Sequence, residues 1–189
     1  MNSRLWTGAA RALLLCTAVH SSPPAVVQGP TYSEARLARV RALPFLDLFR
    51  QIAGPYWIGR HSQARAESNL NPRVRATDGG MGLGQFMPAT WADWGNGDPF
   101  DPRANATAQH HYMLWLEART GSYNAALGAY NAGLGNIRRA QRLADDLGLE
   151  GQDTWLRTLP RVTHANATIT QAYIGRNAGY RAELREAFP

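Results

Sequence analysis

Hydrophobic positions recur every three or four residues along most of the chain, the spacing of one helix face. Leu37, Val40, Leu43, Leu46 and Phe49 follow this rhythm from a Ser33-Glu-Ala-Arg36 start, which predicts a helix that Pro44 kinks or breaks. A second helix is predicted from Pro55 to Ser68, where Asn69-Leu-Asn-Pro72 stops it. Glycines at 79, 80, 82 and 84 then mark tight turns between Arg73 and Gly84. Pro88 opens a short helix that runs to Trp94, and residues 95–102 read as loop. Further helices are predicted at 104–119, closed by Gly121, at 122–132, closed by Gly133, at 137–147 and at 165–187. No stretch alternates apolar and polar residues as a strand does, so the expected fold class is all-α or nearly so, in one domain.

The N-terminus breaks the helical pattern. Arg4 and Arg11 precede the short apolar run from Ala12 to Val19, small residues follow, and Pro23-Pro24 comes next. This is the three-part layout of a secretory signal. The expected organisation is a signal peptide at 1–22, a Pro-rich linker at 23–32 and a folded domain at 33–189, exported to the periplasm or cell envelope of a bacterium. Leu15 stands where a lipoprotein signal has a small residue before its cysteine, which speaks against a lipid anchor. Cys16 is the lone cysteine, so disulfide frameworks and multi-cysteine metal sites are excluded.

Composition narrows the partners. The 189 residues are 44% hydrophobic and 18% charged, ordinary for a folded soluble domain. No apolar run approaches the ~20 residues that span a bilayer, so no transmembrane span is expected. All 20 residues of the Lys+Arg count are arginine, and the net charge of +6 favours an anionic partner. Nucleic acid, anionic lipid and anionic wall polymer all satisfy that charge, but nucleic acid lacks any recognisable motif here and conflicts with export.

Glu67 is the strongest candidate for acid–base chemistry. It lies near the C-terminal end of a predicted helix, where the dipole disfavours negative charge, with Tyr56 and Trp57 upstream and an apolar block downstream. Both influences push a carboxyl toward the protonated form near neutrality, as a general acid for glycosidic cleavage requires. A glycosidase of the ordinary kind needs a second carboxylate. Asp78 is the only other acid between Glu67 and Gln85, and its Gly-rich turn suits local hydrogen bonding. His110 and His111 are adjacent and point about 100° apart on a helix, so they form no metal site. Trp91 and Trp94 share a helix face, where core packing is favoured over sugar stacking.

Three blocks carry a family resemblance: Ala66-Glu-Ser-Asn-Leu-Asn-Pro72, Gly79-Gly-Met-Gly-Leu-Gly-Gln-Phe-Met-Pro-Ala-Thr90, and Ala129-Tyr-Asn-Ala-Gly133. In this order and spacing, with Phe100-Asp-Pro102 and Asn105 between the last two, the chain resembles the soluble lytic murein transglycosylases, related in fold to goose-type lysozyme. The resemblance covers about residues 45–140. It implies a lysozyme-like domain with a substrate groove, Glu67 as the catalytic acid and then base, and Gln85, Met87, Tyr130 and Asn131 as substrate-binding residues. Gln85 is expected to hydrogen-bond an acetamido group and Tyr130 to hold or polarise Glu67. It also implies peptidoglycan strands as substrate, 1,6-anhydromuramoyl products, no metal and no cofactor. Local wall opening for a secretion, conjugation or pilus apparatus is a further implication. One departure stands out: the family's usual Ser nine residues after the glutamate is Ala76 here, which leaves Thr77 as its expected substitute. A hydrolytic muramidase and a non-catalytic peptidoglycan-binding module are the alternatives.

Overall fold

A computed structural model describes residues 32–163 and 167–189; the expected signal peptide at 1–22 and nearly all of the linker at 23–32 lie outside the described residues. Residues 31–189 form one compact unit, and the first described residue of the chain, Tyr32, is already helical. The order is α1 (Tyr32–Arg41), α2 (Leu46–Ala53), a 3-10 turn (Gly54–Tyr56), α3 (Trp57–Ser68), α4 (Pro88–Trp94), α5 (Pro102–Thr120), α6 (Tyr123–Ala132), α7 (Leu134–Asp146), α8 (Trp155–Val162) and α9 (Ala167–Ala187). No strand occurs among the described residues beyond isolated bridges that join Met81 to Arg75 and to Phe86. No helix among them is long and apolar enough to cross a membrane.

The break expected at Pro44 occurs: the stretch forms two helices, because proline removes a backbone donor and Phe45 turns the chain at φ 65°. The Pro44 carbonyl left outside them accepts a hydrogen bond from His61 Nε2 at 2.9 Å. Helix α8 was absent from the sequence reading, since Pro160 lies inside it. The missing Pro160 N–H frees the carbonyl of Leu156, and Gln171 Nε2 on α9 donates to that oxygen at 2.9 Å.

The interior is built from small residues where helices cross. Ala125, Ala126, Leu127 and Ala129 of α6 are buried against Met113 and Leu116 of α5, Ile137 and Ala140 of α7, Trp155 of α8 and Tyr173 of α9. Gly128 is the closest crossing: a β-carbon there would lie 2.6 Å from the Trp155 ring. Phe49 of α2, Ala64 of α3, Leu70 and Leu83 form a second apolar layer with Ala106 of α5. Helix α3 is thus held between α2, α5 and α9, and its last turn is placed with little freedom.

Candidate active site

Glu67 occupies the last turn of α3, and the chain leaves that helix by an abrupt route. Asn69 and Leu70 both adopt positive φ, 51° and 62°. Asn69 N–H caps the helix by donating to Arg65 O at 3.0 Å, and Asn71 Oδ1 then accepts from Arg73 N–H at 3.0 Å. A left-handed pair of non-glycine residues costs conformational energy, which the burial of Leu70 offsets. This turn sends the following segment back across the end of α3.

That returning segment is a glycine-rich loop fastened from two sides. Asn105 on α5 is fully buried; its Oδ1 accepts from Gly84 N–H at 2.7 Å, while its Nδ2 donates to Met81 O at 3.2 Å and Pro99 O at 2.8 Å. Tyr130 on α6 donates its hydroxyl proton to Gly84 O at 2.6 Å. Only glycine fits at 82, where φ is 68° and a β-carbon would lie 2.2 Å from Pro99 O. Asp101 caps the N-terminus of α5 through Ala104 N–H at 2.7 Å and so fixes Asn105 in turn.

Glu67, Ala76, Asp78, Gly80, Gln85, Met87, Tyr130 and Asn131 line one pocket of about 230 Å³. Four of the five expected substrate-binding residues, Gln85, Met87, Tyr130 and Asn131, are therefore brought together with Glu67. The fifth, Thr77, is exposed on a turn closed by Gly79 N–H on Ala76 O at 3.0 Å and is not part of the pocket lining, whereas Ala76 is. Met87 is 43% exposed at the rim and fills no core space. Gln85 Nε2 is engaged within the loop by Gly82 O at 2.8 Å and Val74 O at 3.3 Å, which leaves Oε1 as its remaining polar atom. Asn131 Oδ1 accepts from Thr170 Oγ1 at 2.7 Å, which ties the pocket to α9. Trp91 and Trp94 lie outside it; Trp91 packs edge-on against Phe86, and Trp94 packs edge-on against Trp115 and tilted against Tyr112.

Burial pushes the Glu67 carboxyl up to about 7; Tyr173 and Arg176 on α9 oppose that rise, and Asp78 adds to it slightly. The Tyr173 hydroxyl is buried beside this carboxyl and lowers its pKa, short of a well-aligned hydrogen bond. Neither Tyr173 OH nor Glu67 Oε1 has another protein partner. Tyr130 is near enough to feel the same charge, but its proton is given to Gly84 O, so its part is to hold the loop. Tyr173 is the residue that sequence reasoning missed. Its only sequence signal is an aromatic inside a helix otherwise read by its arginines. Asp78 Oδ1 accepts from Gly80 N–H at 3.2 Å and shapes the turn locally, as expected. The pocket thus presents one protonatable carboxyl at neutral pH, amide and hydroxyl groups around it, and a second carboxylate already bonded to the backbone.

Residues 63–150 match the family model of the transglycosylase SLT domain. Among solved structures, the 70 kDa soluble lytic transglycosylase from Escherichia coli superposes with a TM-score of 0.66 and 24% identity over 81% of this chain. A complex of the 70 kDa soluble lytic transglycosylase with bulgecin A gives a TM-score of 0.66 and 25% identity over the same 81%. The chain spans only 26% of the length of each of these structures. No curated protein sequence matches it.

Proposed function

Taking residues 63–150 as a transglycosylase SLT domain, we propose that this chain is a peptidoglycan lytic transglycosylase whose acid and base is Glu67. The observation that carries the reading is the pairing of a buried carboxyl held near pKa 7 with a neighbouring Asp78 that is engaged by Gly80 N–H. A hydrolase of the two-carboxylate kind places its second group free to act as nucleophile or base. In this reading Asp78 shapes the turn through Gly80 N–H and Glu67 serves both steps.

In the first step protonated Glu67 gives its proton to the oxygen of the β-1,4 bond between N-acetylmuramic acid and N-acetylglucosamine. The C1–O bond breaks, and the sugar's own N-acetyl oxygen relieves the developing positive charge at C1. Glu67, now a carboxylate, takes the proton of the muramoyl C6 hydroxyl as that oxygen bonds to C1. The product is a 1,6-anhydromuramoyl end and Glu67 is protonated again, so no water is consumed. A site whose resting acid is half protonated near neutrality serves both directions of transfer. Gln85 Oε1 is available to accept from an acetamido N–H, and Met87 offers an apolar edge to a sugar face.

The reading extends to location and process: an enzyme exported to the periplasm or cell envelope, opening the wall locally for a secretion, conjugation or pilus apparatus. The sequence layout of residues 1–22 and the family resemblance support it. Two experiments test these levels separately. Soluble fragments released from purified peptidoglycan by the protein, and not by Glu67→Gln, support the enzyme. Deletion of the gene with loss of such an apparatus and no change in bulk wall turnover supports the local role, and the reverse pattern contradicts it.

A further inference from the structure

Helix α6 ends at the Glu67 pocket, and its other end opens into a different cavity. Helix α6, ten residues and about 15 Å long, runs between the two. The second cavity encloses about 760 Å³, roughly three times the first, and is lined by Ser122 and Asn124 at the start of α6, Arg138, Arg142 and Asp145 of α7, Asp153, and Arg181 of α9. It shares no lining residue with the Glu67 pocket, and the proposed reaction uses none of it.

Its charges are unevenly matched. Both acceptor oxygens of Asp153 are engaged internally, Oδ2 by Asn124 Nδ2 at 2.5 Å and Oδ1 by Trp155 Nε1 at 3.1 Å. Arg138 and Arg142, one turn apart on α7, have no ion-pair partner among the described residues, whose ion pairs all involve other arginines. Arg181 gives one Nη2 bond to Asn124 Oδ1 at 3.0 Å and lies over the Tyr123 ring, while its Nε is buried without a partner. Burial lowers the Arg181 pKa, so its charge is held at a cost that an anion would relieve. The first turn of α6 adds its positive dipole end to the same space. Asp145 remains on the opposite account, an exposed carboxylate on the same wall, available for a cation.

We propose that this cavity binds a peptide carrying several carboxylates and a free amine, the chemistry of the stem peptides on peptidoglycan. Arginines that form forked pairs with planar carboxylates suit such a ligand, and Asp145 would receive its ammonium. A phosphate polymer has no use for that aspartate and is repelled by it. The proposal rests on the wall-directed reading of Glu67 for the source of the peptide, and only for that.

The test is calorimetric titration of the full chain with the free tripeptide Ala-γ-Glu-diaminopimelate, using wild type, Glu67→Gln, and a double variant Arg138→Gln with Arg142→Gln. Both arginines are exposed, and an unchanged melting curve confirms that the double variant folds. Saturable binding in wild type and Glu67→Gln that weakens about tenfold or more in the double variant is the expected result. No binding to wild type, equal binding to the double variant, or loss of binding in Glu67→Gln overturns the proposal. Competition by inorganic phosphate at equal ionic strength also overturns it, by making the cavity a general anion site. A separate arm measures fragment release from glycan strands stripped of peptide. There the double variant should match wild type, while failure of both proteins to release anything counts against the Glu67 reading and leaves the peptide result standing by itself.

Discussion

The hydroxyl of Tyr173 on α9 is buried against the carboxyl of Glu67 on α3, and it holds that acid below the value that burial alone would set. The two residues are over a hundred positions apart and meet because α3 and α9 pack along their lengths. Arg65 reinforces that packing by pairing with Glu183 at 2.7 Å and stacking on Tyr180. Tyr173→Phe removes the opposing influence, so the Glu67 pKa rises further. Activity measured against pH should then fall off at a higher pH than in wild type, with a lower maximal rate. An unshifted profile would show that Tyr173 only fills space.

Wild-type activity itself should decline as pH passes about 7, where Glu67 loses its proton and the leaving oxygen loses its acid. A profile of kcat/KM across that range, on soluble glycan strands, checks it.

Stability carries the same signature with a definite sign. The Glu67 pKa is raised in the folded state from 4.5 to about 7. Its contribution is therefore complete below the unfolded value and is lost as pH rises through the folded one. Glutamine stays neutral throughout, so Glu67→Gln should match wild type near pH 4 and exceed it by on the order of 3 kcal/mol above about pH 8. Denaturant melts at the two pH values measure the difference.

Asn105 makes two hydrogen bonds to the glycine loop and one to Pro99 O from a fully buried position. Asn105→Ala leaves Gly84 N–H and two carbonyls without that partner, and should cost about 3 kcal/mol. Because Gln85 rides on this loop, KM should rise as well. Thermal denaturation and steady-state kinetics on the one variant read both effects.

Two glycine changes separate packing from backbone entropy. Gly128→Ala drives a methyl toward the Trp155 ring at 2.6 Å and should destabilise by about 1–3 kcal/mol. Gly179, exposed within α9 with nothing within 4 Å of its β-carbon position, should gain about 0.5–1 kcal/mol on replacement by alanine.

The helical architecture was legible because hydrophobic spacing, prolines and glycines reported local structure directly. Glu67 and most of its neighbours were legible because their motifs are contiguous in sequence. Tyr173 was not, since nothing local marks a tyrosine whose role depends on a distant carboxyl. Helix α8 was hidden by Pro160, whose orphaned acceptor is repaired by Gln171 from another helix. The polar run Arg60-His-Ser-Gln63 is wholly buried, which its sequence does not signal, with Arg60 paired to Glu117 at 2.7 Å and His61 to Pro44 O. Thr77 stayed outside the pocket because it sits on the tight turn that Gly79 N–H closes on Ala76 O, where it is exposed while Ala76 lines the pocket.

The central claim is that Glu67 closes the muramoyl C6 oxygen onto C1 without water. Mass spectrometry of fragments released from purified peptidoglycan in heavy-oxygen water tests it most directly. The account requires anhydromuramoyl ends, one water lighter than reducing ends, free of heavy oxygen and absent with Glu67→Gln. Reducing ends that carry heavy oxygen and still depend on Glu67 would contradict it and make the enzyme a hydrolase.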